Sequence, residues 1–315
     1  VSVAPLTTPS AAPAAVGAIE LGGTHVLAGL VDVAAGAVLG PSVRRVALDA
    51  DAPAEEILRA VSEAAGHAYP RPSRWGVAIP GPFDYDAGVG SFAGTAKFSS
   101  LAGIELRAVL DQWIAPAAWT FLDDAEAFLL GEWRAGRAQG VRRCAAVTLG
   151  TGVGSAFLVE GRPLRDGPHV PPGGRLHRVS VEGVPLEERV SRRAIIAAYQ
   201  RTGGGAEDVK EIAAAAGTDP CAAGVLVEAM RTLGSVLGPW LGRFGAECLV
   251  VGGSMVRAGS VVLAPLTSAL TPPWDRPVLA AQHHELAALL GAAVWAERAV
   301  GATGGRPAGT GRFRR

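Results

Sequence analysis

Cysteine is scarce in this chain, and the three present, Cys144, Cys221 and Cys248, stand alone without a C-x-x-C pair. That spacing excludes a readable zinc or dithiol redox motif, and an odd, unpatterned count fits reduced core thiols. An excess of either charge is lacking too. The 29 basic and 29 acidic residues cancel, which argues against a broad nucleic-acid footprint. No uninterrupted run of 18 apolar residues occurs, so no membrane span is expected. The first fifteen residues, VSVAPLTTPSAAPAA, lack the basic start and apolar stretch of a signal peptide. Segments 1–15 and 300–315, the latter rich in Gly and Arg, read as disordered tails of a cytoplasmic protein.

What the chain does have is apolar residues, 49% of 315, enough to build the cores of two ordinary domains. It also has an internal echo. VGAIELGGTHVLAGLVD (16–32) and AAVTLGTGVGSAFLVEG (145–161) each read as an apolar strand, a Gly/Thr turn and a second apolar run. Superposed, Leu21-Gly22-Gly23 falls on Leu149-Gly150-Thr151, which points to two related lobes opening on the same hairpin. A lone turn of this kind is usually just a hairpin. Two copies with matching flanks suggest more: glycines able to take positive φ, and successive backbone N–H groups forming a concavity for phosphate oxygens. Two such turns facing one cleft suit phosphotransfer.

Between the echoes the pattern predicts a third strand within 38–48, a helix over 53–68 and a short strand over 74–80 running into Pro80-Gly81-Pro82. A loop-rich insertion over 83–100, a helix over 104–113, a strand over 118–122 and a helix over 125–136 follow. Beyond the second hairpin, helices are expected over 186–201 and 225–244, a strand over 246–251 ending at Gly252-Gly253-Ser254, and a mostly helical 279–299.

Asp123-Asp124 sits at a strand-to-helix junction. One aspartate there is usually a cap. Two at a strand's carboxyl end point to a crevice. Phosphoryl transfer to an alcohol needs a carboxylate to orient the hydroxyl and accept its proton, and the helix N-terminus is expected to keep that carboxylate ionised.

Five motifs in order, Glu20-Leu-Gly-Gly-Thr24, Gly76-Val-Ala-Ile-Pro-Gly-Pro82, Leu122-Asp-Asp-Ala-Glu-Ala127, Thr148-Leu-Gly-Thr-Gly-Val-Gly154 and Val250-Val-Gly-Gly-Ser254, resemble those of the ROK family of bacterial glucokinase-like proteins over residues 16–299. The resemblance implies an α/β, two-lobed actin/hexokinase-type ATPase fold with ribonuclease H-like lobes and an interdomain cleft. The lobes would span 16–122 and 123–299, with the last helix packing back on the N-terminal lobe. It implies a homodimeric ATP- and Mg²⁺-dependent kinase for the 6-hydroxyl of glucose or a similar sugar. Asp124 aligns with the catalytic base. Glu20, Gly22, Gly23, Thr24, Gly150, Thr151, Gly152, Gly252, Gly253 and Ser254 align with the nucleotide contacts. Pro80, Gly81, Ser99, Ser100, Asp123, His177 and Glu187 align with the sugar contacts.

Three departures stand out. Glu20 replaces the usual Asp, and Gly174-Arg-Leu-His177 keeps only the histidine of a Glu-x-Gly-His sugar motif. The cysteine-rich zinc loop is missing, so no structural metal is expected. Asp123 in place of a family Asn makes an aminohexose such as kanosamine an alternative acceptor. A regulatory protein is the rival of another class, disfavoured because only about sixteen residues precede the core, too few for a helix-turn-helix; a non-catalytic sugar-binding protein, suggested by Glu20 and the altered histidine motif, is disfavoured by Asp124 and both phosphate turns. Outside the motifs, His25 reads as a strand residue, Lys97 as a solvated neighbour of the sugar loop and Glu132 as a pairing or capping group.

Overall fold

The computed structural model describes residues 15–303 apart from Ala96, Pro116, Pro272 and Pro273. The expected tails, apart from Ala15 and 300–303, lie outside the described residues. In chain order the elements are β1 (Val16–Leu21), β2 (His25–Asp32), β3 (Ala37–Val38), β4 (Arg44–Ala47), α1 (Ala54–Ala65), β5 (Arg74–Ala78), β6 (Phe83–Asp84), β7 (Val89–Gly90), α2 (Leu106–Trp113), β8 (Ala118–Leu122) and α3 (Asp124–Ala135). They continue with β9 (Arg143–Leu149), β10 (Val153–Val159), β11 (Arg162–Pro163), β12 (Ser180–Val181), β13 (Val184–Pro185), α4 (Glu187–Val190), α5 (Arg192–Arg201), α6 (Val209–Ala215) and α7 (Pro220–Phe244). The last are β14 (Cys248–Gly252), α8 (Ser260–Ser268), β15 (Val278–Ala280) and α9 (Ala287–Thr303).

The internal echo is structural. One sheet runs β3-β2-β1-β5-β8, with β4 also on β2, and the other runs β11-β10-β9-β14-β15. In each, the glycine-turn hairpin is antiparallel and its first strand pairs in parallel with the strands that follow. The period-2 alternation of the strands then sorts side chains into layers. Ile19 and Leu21 of β1 face α1, and Ala145, Val147 and Leu149 of β9 face α7. Val16 and Ala18, and on the other sheet Cys144 and Ala146, face a shared central layer made by α3 and α9.

That central layer explains the small residues of its sequence. A Cβ at Gly131 would overlap the Ala287 carbonyl, one at Gly291 the Ala127 carbonyl, and one at Gly76 of β5 the Ala292 carbonyl. The backbones of α3, α9 and β5 therefore touch directly. α9 lies on β1, β5 and β8, while α3 packs on α9, β9 and β10. The N-terminus of α3 is thereby pinned between the sheets, at the end of β8.

Several expectations need correction. The expected strand over 38–48 is two short strands, divided by a turn in which Ser42 accepts from Leu30 N. The expected helix over 186–201 breaks after Val190, because Ser191 is extended and its hydroxyl caps α5 through Ala194 N. Helices α6 and α8 were not anticipated, and the expected helical segment from Leu279 opens with β15. By length and composition α7 could cross a membrane, although no uninterrupted apolar run reveals it, because glycines and isolated polar residues interrupt the sequence. In the fold Leu226, Leu233, Leu237, Leu241 and Phe244 on one side of α7 are fully buried against the second sheet.

Candidate active site

The two glycine turns open onto one cavity of about 740 Å³. Gly23 and Thr24 line it from the first hairpin, Gly150 and Thr151 from the second, and Gly253 and Ser254 from the turn after β14. Glu20, at the end of β1, and Asp124, in the first turn of α3, line it too. The positive φ expected of the hairpin glycines is absent: Gly22, Gly23, Gly150 and Gly152 all lie outside the left-handed set. At two of them the nearest atoms are the movable ends of long side chains. A Cβ at Gly23 would come within 3.3 Å of Lys97 Nζ, and one at Gly152 within 2.6 Å of Glu187 Oε1. Gly253 does take positive φ (89°), and its backbone lies against that of Leu149 at the end of β9. Gly22, Gly152 and Gly252 do not line the cavity. Gly252 is buried against the Phe128 ring.

The acidic pair divides its work. Asp123 is the N-cap of α3: one carboxylate oxygen accepts from Ala125 N at 3.1 Å and the other from the Tyr85 hydroxyl at 3.0 Å. Asp124 Oδ1 accepts only from Ala125 N (2.9 Å) among the described residues, which leaves the rest of its carboxyl toward the cavity. The expectation that the helix end keeps Asp124 ionised fails. Burial, and then the charge of Asp123, push its carboxyl up to about 7, outweighing the Ala125 N–H bond and Lys97. A group poised near neutrality is what a proton acceptor working at pH 7 needs. Glu20 is pushed up to about 8 by burial and by Asp124, and its buried Oε2 has no hydrogen-bond partner among the described residues. Two carboxyls that jointly resist ionisation, one with an orphaned oxygen, fit a cation bound between them.

None of the residues expected to hold the sugar lines that cavity, and Gly81, Asp123 and His177 gather beside it around Tyr85 and Arg175. Arg175 and the Tyr85 hydroxyl crowd Gly81 so closely that a Cβ there would meet Arg175 Nη2 at 2.5 Å. Partly exposed Pro80 precedes it. His177 lies in a single helical turn (Leu176–Arg178); its buried Nδ1 has no partner among the described residues. Burial, Arg178 and Arg175 depress its imidazole to about 4, so it is neutral at pH 7, although Asp123 pulls the other way. Glu187 stands at the start of α4 against Gly152. Ser99 is exposed, and the Ser100 hydroxyl donates to Ala52 O (2.8 Å), a loop contact away from this cluster.

Sequence reasoning missed the groups that tie the cluster together. The Arg165 guanidinium makes two 2.7 Å bonds to the buried Glu126 carboxylate, one turn along α3 from Asp123, and lies over the Tyr85 ring at 5.3 Å. Tyr85 closes the ring by donating to Asp123. No local pattern marks Tyr85 or Arg165, whose partners are 38 and 39 residues away. Glu132 accepts from Arg137, Gln282 and His283 backbone N–H groups, a clamp on the approach to α9 in keeping with the capping role read for it. Among the described residues no group of three or more His, Cys, Asp and Glu converges on a metal-sized space.

The sequence profile of the ROK family matches residues 16–299, nearly the whole described fold. The chain belongs to the ROK family. A search among curated proteins gave no match. Among solved structures, a ROK glucokinase of Streptomyces griseus in complex with glucose and AMPPNP is 25% identical, with TM-score 0.74, over 90% of this chain and 99% of that one. A ROK hexokinase of Thermus thermophilus is 25% identical, with TM-score 0.75, over 91% and 99%. A ROK transcriptional regulator, a homologue of the E. coli MLC protein, is 18% identical, with TM-score 0.72, over 90% and 78%, a likeness of fold alone. ROK membership and these neighbours carry the two-lobed actin/hexokinase-type fold expected from the motifs.

Proposed function

We propose that this ROK protein is an ATP-dependent sugar kinase that transfers the γ-phosphoryl group to the 6-hydroxyl of glucose or a glucose-like sugar. One observation carries the reading: both glycine turns, the Gly253-Ser254 turn and Asp124 line a single cavity. The backbone N–H groups of the two hairpin turns hold the phosphate tail, and the Gly253-Ser254 turn approaches the adenosine. Asp124 accepts the proton of the attacking hydroxyl, and its near-neutral affinity lets it hold that proton as the phosphorus–oxygen bond forms. Asp123, Tyr85, His177 and Glu187 orient the acceptor. Glu20, whose Oε2 is orphaned among the described residues, would hold Mg²⁺ and its waters; the ion supplies neutralisation of the phosphate charge.

A second acceptor reading, an aminohexose, is favoured by Asp123, whose carboxylate accepts hydrogen bonds but donates none once ionised and so suits an ammonium group. The test is a coupled ATP assay on glucose, mannose, glucosamine and kanosamine with the wild type and Asp124→Asn. Turnover on one sugar, cut at least about a hundredfold by Asp124→Asn with nucleotide binding retained, is the expected result. Full activity of Asp124→Asn sinks the assignment of the base. Sugar binding without turnover by the wild type identifies a non-catalytic ROK protein instead.

A further inference from the structure

Arg45, on β4 of the N-terminal lobe, and Arg257, in the turn after β14 of the C-terminal lobe, reach the same carboxylate. Arg45 Nη1 donates to Glu285 Oε2 and Arg257 Nη2 to Glu285 Oε1, each at 2.8 Å. All three side chains line the cavity beside the glycine turns. Among the described residues these are the only hydrogen bonds either guanidinium makes, so each keeps several N–H donors free. The side chains are 50%, 63% and 49% exposed, and ion pairs so open to water add little to stability. Fastening the lobes is therefore a weak explanation for the bridge. One carboxylate between two guanidiniums also leaves a net positive charge on this wall. That wall acts on the reaction centre: Arg45 and Glu285 influence the Glu20 carboxyl in opposite directions.

We propose that Arg45 and Arg257 form a clamp, one arm from each lobe, for the oligophosphate tail of the donor, and that Glu285 occupies the clamp until the donor displaces it. The inference rests on the nucleotide-binding reading above and adds residues outside the glycine turns to it. An oligophosphate offers more charge and more acceptor oxygens than one carboxylate, and guanidinium geometry suits phosphate in bidentate fashion. The incoming tail takes both arginines, and Glu285 swings to solvent. Because the arms belong to different lobes, one bound tail engages both sides of the cleft.

The clamp predicts an unusual sign: loss of a salt-bridge partner strengthens binding. Inorganic tripolyphosphate, which lacks the adenosine contacts, is the probe, titrated calorimetrically into the full chain at low salt. Glu285→Gln is expected to tighten tripolyphosphate binding about fivefold, and Arg45→Met and Arg257→Met each to weaken it about tenfold. The exposed positions leave the fold intact, which a thermal melt of each variant verifies. Unchanged or weaker binding by Glu285→Gln overturns the clamp, as does wild-type protein that binds no tripolyphosphate. Sugar phosphorylation with ATP is measured in parallel. Turnover without the Glu285→Gln effect refutes the clamp alone, whereas the effect without turnover keeps the clamp and refutes the kinase.

Discussion

Replacing Asp123 by Asn removes one negative charge beside Asp124 and leaves the side chain's shape almost unchanged. The α3 cap survives, because the amide oxygen still accepts from Ala125 N. Tyr85 survives too: its hydroxyl accepts from the new amide and turns its own proton to Ile79 O, 3.3 Å away. The variant therefore isolates charge. Asp124 is lifted from 3.8 to about 7, with burial the largest cause and Asp123 the next. Neighbouring carboxylates in a site of effective dielectric near 20 raise one another by roughly one to two pKa units, and the open cavity screens part of that. The expected result is a downward move of about one pH unit in the acid limb of kcat/KM for the nucleotide, which reports the nucleotide-free protein. Stability gives an independent reading. Asp124 binds its proton more tightly folded than unfolded, so its stabilising contribution is complete below about pH 4 and disappears as pH rises through about 7. Asp123→Asn shrinks that loss, so the variant gains on the wild type in urea melts at pH 8 and not at pH 4. An acid limb that stays put, or moves up, refutes the claim that Asp123 sets the working range of Asp124.

Two further expectations concern the frame that holds α3. Gly291→Ala places a methyl group into the Ala127 carbonyl at the α3–α9 contact, and neither backbone can retreat from its sheet. Unfolding in urea should show a loss of about 3 kcal/mol, at the upper end of overpacking costs, and an unchanged midpoint would refute direct backbone contact there. Glu132→Gln keeps one acceptor oxygen of the two that receive the Arg137, Gln282 and His283 N–H groups. It should cost about 2 kcal/mol and raise hydrogen exchange at Gln282 and His283, or at Arg137 if the amide turns over, and unchanged exchange at all three would show that the carboxylate clamps nothing.

Much of the site was legible because its signals are local. The glycine turns, the Asp pair at the end of β8 and the Gly253-Ser254 turn each show in a few neighbouring residues, and the fold brings them to one cavity. Ser99 and Ser100 show the limit of that reading, since their place in a loop says nothing of where the hydroxyls point, and Ser100 is held by Ala52. α8 escaped notice because Pro265 sits inside an apolar run without a helical stripe. The break at Ser191 was missed because the helical spacing on either side conceals a capping serine.

The sequence by itself determined the hairpin repeat, most of the elements along the chain and the acid at the start of α3, because alternation, turns and caps depend on residues next to one another. Only the tertiary structure decided that Asp124 titrates near neutrality, that Tyr85, under the Arg165 guanidinium, holds Asp123, and that Arg45 meets a glutamate 240 residues away. Burial and charge act through space, summing over side chains from both lobes, and no local stretch of chain contains that sum.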